Sequence, residues 1–310
     1  MNHPRALRHI CQRFRLWSST ALLAALWLGA SGAALAKPRV VTTVQTFRAL
    51  AAEIGGDRVE VTALVGEAVD PHKVDPRPSY AVLLNRADLL VHVGLDLEKA
   101  WLPPLVEQSR NPRIQSGQTG NLNASTVGIS VLDVGAGVSR AMGDVHPMGN
   151  PHYWLPPDNA LKIARAIADR LKAIDAGNGA AYDQGYNRLA AAITAKQAEW
   201  TKRAAGLRGV KVVTYHKSWT YLTRWLGLVE VGYVEPKPGV PPDPAHLVRL
   251  VEEARRAGAR FCLVEAYYPR STAQRVVDLA KMKLLPLASD AGAKQSYTAL
   301  VDAILAALTG

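Results

Sequence analysis

Cysteine is scarce. Of the two in this 310-residue chain, Cys11 lies in the basic N-terminal stretch and Cys262 in the apolar run Phe261-Cys262-Leu263-Val264. A chain that sheds its N-terminus keeps one thiol, which closes no internal disulfide, so a packed core must hold the fold. No cysteine stands directly after the N-terminal apolar segment, which argues against a lipid-anchored form. Long hydrophobic runs are lacking too: the segment from Ala21 is broken by Gly29, Ser31 and Gly32 and falls short of the roughly 20 residues of a membrane span. The net charge is +11, yet lysine and arginine are scattered rather than clustered, and nothing reads as a nucleic-acid module. The helix-borne H-E-x-x-H pattern of zinc peptidases is missing as well.

What is present begins with an address. Arg5, Arg8, Arg13 and Arg15 form a basic leader without acids, Thr20 to Leu28 an apolar core, and Ala34-Leu35-Ala36 a small-residue cleavage site. This reads as a signal peptide over residues 1–36, cleaved after Ala36, and it places the mature protein in the periplasm. Loss of the four leader arginines lowers the net charge from +11 to +7.

From Arg39 onward strand-like and helix-like patterns alternate. Strands are expected at Arg39 to Val44, Val59 to Val65, Leu89 to Val93 and near Ile129 to Val134, with helices between and Asn111 to Ser125 as a mobile surface loop. Tyr182, Tyr186, Leu189, Ile193, Trp200, Ala204 and Leu207 then share one helical stripe that lapses at Lys196 and Gln197. A helix over that stretch measures about 40 Å, enough to run the height of a two-lobed protein. Beyond Gly209 the alternation restarts. The reading is therefore an α/β protein of two lobes, each a parallel sheet flanked by helices, joined by one long linking helix. The expected divisions are 37–177, 178–207 and 208–310. Tyr186 to Ala205 contains no Gly or Pro, so the lobes should rock only slightly.

In open α/β sheets, ligands gather at the carboxyl ends of strands. His72, His152, His216 and Asp290 all occupy such positions, two in each half. His152 is the most constrained, set between Pro151 and Pro156-Pro157 in Gly149-Asn150-Pro151-His152-Tyr153-Trp154. Three imidazoles and a carboxylate make a four-coordinate cation site, and nitrogen donors favour Zn(II) over Mg(II) or Ca(II). His146 is an alternate ligand, Glu265 a candidate acceptor orienting an imidazole, His92 a hydrogen-bonded strand residue, and His246 an exposed one.

Asp70-Pro71-His72, Gly94-Leu95-Asp96-Leu97-Glu98 with Trp101-Leu102, Asn150-Pro151-His152-Tyr153-Trp154, Tyr215-His216 and Ser289-Asp290-Ala291 occur in an order that spans nearly all the mature chain. In these pieces the sequence resembles the periplasmic solute-binding proteins of zinc and manganese ABC transporters, the ZnuA/TroA-like family. The resemblance implies two α/β lobes on a long helix and a metal site at His72, His152, His216 and Asp290. It also implies a monomer that binds one Zn2+ as cargo, catalyses nothing, and works with a permease, its ATPase and a metal-donating chaperone. His216 stands where manganese members commonly carry Glu. Many zinc members have a His- and Asp-rich insert before the second ligand, whereas this chain has only His146 there. The alternatives are a manganese or iron carrier of the same family and a secreted zinc hydrolase.

Overall fold

The computed structural model describes residues 36–134, 146–237 and 239–310. The leader therefore lies outside the described residues except for Ala36, and so do residues 135–145 of the region before the second expected ligand.

Short β-branched runs form the strands. β1 (Arg39–Thr42), β2 (Glu60–Ala63), β3 (Leu89–His92) and β4 (Asn121–Asn123) pair in parallel in the order β2-β1-β3-β4. β5 (Lys211–Thr214), β6 (Val229–Tyr233), β7 (Phe261–Glu265) and β8 (Lys283–Leu287) repeat the design as β6-β5-β7-β8. Central strands such as β7, buried at every residue, need helices over both faces. In the first half these are α1 (Gln45–Gly55), α2 (Pro78–Arg86), α3 (Leu102–Gln108) and α4 (Pro157–Ile174). After α5 (Gly179–Ala204) come α6 (Thr220–Leu226), α7 (Pro244–Ala257), α8 (Arg270–Ala280) and α9 (Tyr297–Thr309). In each sheet the strand order reverses beside the first strand, the kind of switch point where α/β sheets leave a crevice for ligands.

The fourth strand is not where periodicity put it. β4 falls inside the stretch expected to be a loop, whereas residues 131–134 make no ladder. Only Leu122 of β4 is apolar and buried; Asn121 and Asn123 spend their side chains on Ile114 O and on the Ser125 amide, so no hydrophobic alternation marks the strand. Leu132, in turn, gives its amide to the Tyr221 hydroxyl and its carbonyl to Asn150 N. α3 starts at Leu102 with Pro103 and Pro104 in its first turn, where their missing donors cost nothing.

The linking helix α5 has 26 residues, about 39 Å at 1.5 Å per residue. Tyr182, Gly185, Leu189, Ile193, Trp200 and Ala204 form its buried face. Near its start Asp183 pairs with Arg165 and Lys172 of α4; near its end Trp200 Nε1 donates to Asp302 of α9, which also pairs with Lys196 and Arg203. The lapse in the stripe has a polar purpose, since Lys196 reaches Asp302 and Gln197 reaches Asp158. α9 also crosses back to the first half: the Tyr297 hydroxyl donates to Leu155 O at 2.6 Å. One hydrophobic core, holding Val40, Leu50, Ile163, Ile193, Phe261 and Leu305 alike, runs from sheet to sheet. Among the described residues no helix is long and apolar enough to cross a membrane.

Gly185 lets α5 lie directly on α1, because a Cβ there would drive into the Ile54 carbonyl oxygen. Gly185→Ala should lower stability by about 1–3 kcal/mol, the usual cost of overpacking. Gly206→Ala, whose Cβ would meet nothing within 4 Å, should be near neutral. Urea midpoints of the two variants test this.

Candidate metal centre

Two stretches with the same pattern, Asx-Pro-His, build most of the site. In the first, Asp70 Oδ1 accepts from the His72 amide at 3.0 Å and lies 2.7 Å from His72 Nδ1. In the second, Asn150 Oδ1 accepts from the His152 amide at 3.0 Å and lies 2.8 Å from His152 Nδ1. The intervening proline offers no competing donor, so the short side chain folds over onto the residue two positions on. His216, at the end of β5, finds its acceptor 19 residues later: Nδ1 is 2.8 Å from Glu235 Oε2. A carboxylate only accepts, and Asn150 shows its oxygen to the ring because its Nδ2 donates to Lys217 O at 2.8 Å. Each Nδ1 therefore carries the proton, leaving the Nε2 lone pair available to a metal.

The rings converge. Centroids of His72, His152 and His216 lie 5.0, 5.2 and 5.3 Å apart, and one nitrogen from each falls within 4.8 Å of the others. All are buried, at 7%, 4% and 2% exposure, and among the described residues Nε2 of both His72 and His152 has no hydrogen-bond partner. Burial, then repulsion from the neighbouring imidazoles, holds His152 well below the ordinary histidine pKa. Burial also lowers His216, against the pull of Glu235. At Asp70 burial would raise the pKa, but the hydrogen bonds from His72 more than offset it. His152 and His216 are thereby held toward the neutral form that metal binding requires.

Neighbouring contacts fix the His152 segment. The Tyr153 hydroxyl donates to Val93 O, and Trp154 Nε1 donates to Ser289 O across the lobes at 2.8 Å. Buried Glu98 holds the end of β3 by accepting from the Val93 and Gly94 amides and the Thr43 hydroxyl.

Asp290, the expected fourth ligand, is placed differently from the histidines. Its Oδ2 accepts from Gln45 N at 2.7 Å, and its Oδ1 from Thr46 N at 2.7 Å, Ala291 N at 3.0 Å and the Thr46 hydroxyl. It thereby caps α1, whose own N-cap residue, Val44, has no side chain able to do so. The close nitrogen group does not include it. His146 lies nearby, its ring 5.2 Å from that of His72, and lines a cavity of about 340 Å³ with Asp133, His152, His216, Lys217 and Glu235. His92 bonds to Asn121 as expected, whereas His246 is half-buried, with Nε2 on Tyr233 O. Glu265 orients no imidazole; that work falls to Asp70, Asn150 and Glu235. The recurring Asx-Pro-His spelling was a readable sign of the first two, but nothing local announces Glu235.

The family model for the periplasmic zinc-uptake complex component A, ZnuA, matches residues 40–310. The high-affinity zinc uptake system protein ZnuA of Paracoccus denitrificans is 25% identical over 299 residues, covering 86% of this chain and 87% of that one. The manganese ABC transporter substrate-binding lipoprotein PsaA of Streptococcus mitis is 24% identical over 259 residues, covering 82% and 80%. A crystal structure of ZnuA superposes with a TM-score of 0.74 at 22% identity, over 88% of this chain and 98% of that one, which shows the shared fold.

Glu265 supplies a pH dependence. It is fully buried beside Ser218 and Trp219, and burial, only partly offset by those two side chains, pushes its pKa up to about 8. The folded state thus keeps a proton that the unfolded chain loses near 4.5, so its stabilising share is full below 4.5 and fades as pH rises to about 8. Metal-free protein should lose about 1.4 kcal/mol per pH unit from this group within that window. Glu265→Gln, neutral throughout, should flatten the slope in urea denaturation at pH 5 to about 8; an unchanged slope would show that Glu265 ionises freely.

Proposed function

Because the chain belongs to the ZnuA family of periplasmic zinc-uptake components, we propose that it captures Zn2+ in the periplasm and delivers it to an ABC transporter. The observation that carries this reading is the convergence of His72, His152 and His216, buried and each held at Nδ1 by its own acceptor. Borderline-soft nitrogen donors suit Zn(II), and in the divalent series such a site holds manganese more weakly. Asp290 completes the shell as the fourth donor by giving up part of its hold on the α1 amides. The metal is cargo, and the protein catalyses nothing. A secreted zinc hydrolase would need a general base beside the metal. Asp70 and Glu235, the carboxylates closest to the imidazoles, are instead engaged as their acceptors. The partners are the membrane permease, its ATPase and a metal-donating chaperone, and the protein acts as a monomer. The manganese carrier remains the second reading, favoured by likeness to manganese-transporter lipoproteins such as PsaA.

Purified mature protein should carry one zinc per chain and hydrolyse no ester or peptide substrate. In calorimetry, His72→Ala, His152→Ala and His216→Ala should each weaken zinc by more than the roughly 10–100-fold that loss of an outer partner costs. Asp290→Ala should weaken it less and also lower the stability of metal-free protein, through the lost α1 cap. A tighter hold on Mn2+ than on Zn2+ would overturn the zinc assignment, and wild-type affinity in His216→Ala would remove the two-lobe site.

A further inference from the structure

The histidines are not held alike. Asp70 and Asn150 belong to the same short turns as the rings they orient, so those units are self-contained. His216 depends on Glu235, which begins a different segment. The Glu235 amide donates to Tyr215 O at 3.0 Å, carrying the β5–β6 pairing one step past the strands and setting the carboxylate beside the imidazole. The oxygen that accepts from His216 Nδ1, Oε2, also accepts from the Gly239 amide at 3.2 Å. The chain reaches Gly239 through a turn closed by Val240 N on Lys237 O at 3.0 Å, with Gly239 at φ +74°, a conformation that suits glycine. Glu235 is buried, whereas Pro236, Lys237 and Val240 are exposed. Pro236 and Lys237 also line the cavity that reaches His152 and His216. One carboxylate oxygen thus serves a metal ligand on one side and a solvent-facing turn on the other.

On the reading that the site carries zinc, we infer that Glu235 is a positioning residue that ties the grip on the metal to the placement of the turn at Lys237, Gly239 and Val240. A metal on Nε2 draws electron density from the ring and makes Nδ1–H a stronger donor, which pins the carboxylate and with it the acceptor of the Gly239 amide. Linkage makes the effect reciprocal: whatever draws the Gly239 amide off Glu235 leaves His216 less well aimed and lowers the affinity for zinc by the same factor. The exposed side of the turn is where the membrane-bound acceptor of the metal can apply that pull.

Hydrogen exchange of the wild-type protein with and without Zn2+, and zinc release to a chelator in stopped flow, test the coupling. Zinc should slow exchange of the Gly239 and Val240 amides by about tenfold or more, within the range of ordinary site coupling. Glu235→Gln keeps an accepting oxygen but loses the charge; zinc should bind about 10–100-fold more weakly and no longer protect Gly239. Val240→Pro removes the donor that closes the turn while leaving His216 and Glu235 in place, and should release zinc about 5–150-fold faster. Wild-type release from Val240→Pro, or full zinc-dependent protection of Gly239 in Glu235→Gln, overturns the coupling and leaves the zinc site intact. A wild-type protein that binds no zinc overturns the site itself.

Discussion

An imidazole offers a metal a directed lone pair only while its other nitrogen keeps the proton, and much else in this structure serves that condition. Asp70, Asn150 and Glu235 each take the proton-bearing Nδ1 of one histidine. Burial keeps His152 and His216 uncharged, so they need not shed a proton before accepting a metal. Two of the acceptors are anionic and the third is an amide whose far end donates to Lys217 O, so the buried negative charge stays modest while every polar atom of the Asn150 side chain is engaged. Burying charge without partners would cost several kcal/mol per ion; here each carboxylate arrives with its donor.

The frame keeps those aims from drifting. His72 and His152 belong to the first lobe and His216 to the second, so any relative motion of the sheets would open the triangle. α5 and α9 both pack against elements of the two halves, and the core is continuous between them. Trp154 on Ser289 O and Asp290 on the first amides of α1 add polar ties across the cleft. Asp290 is consequently a structural clasp as well as a candidate donor. On the proposed function, one side chain serves both a helix end and a metal.

Much of this was legible in the residues, for identifiable reasons. Long periodic segments such as Tyr182 to Leu207 declare themselves because burial of a stripe repeats every turn. His72, His152 and His216 stood out because they follow strands, where α/β sheets leave room for ligands. β4 was hidden because its backbone pairs with β3 while its asparagines serve local turns, leaving a single apolar residue as signal. Glu235 was hidden because its partner lies 19 residues upstream and meets it only once β5 and β6 are paired. Which helix Asp290 caps was hidden for a related reason: that helix begins 245 residues earlier in the chain.

The Asx-Pro-His unit differs from the His216 arrangement in one further respect. Its acceptor, its rigid spacer and its imidazole are three consecutive residues, and the hydrogen bonds that aim the ring close within them. Such a unit is portable. Set into a strand-to-helix loop of an unrelated scaffold, the Asp70 form would bring a ring of known tautomer and direction by itself, whereas the Asn150 form would also need an acceptor such as Lys217 O to turn its amide. The His216 arrangement cannot be transplanted in that way, because its acceptor exists only where two particular strands lie side by side.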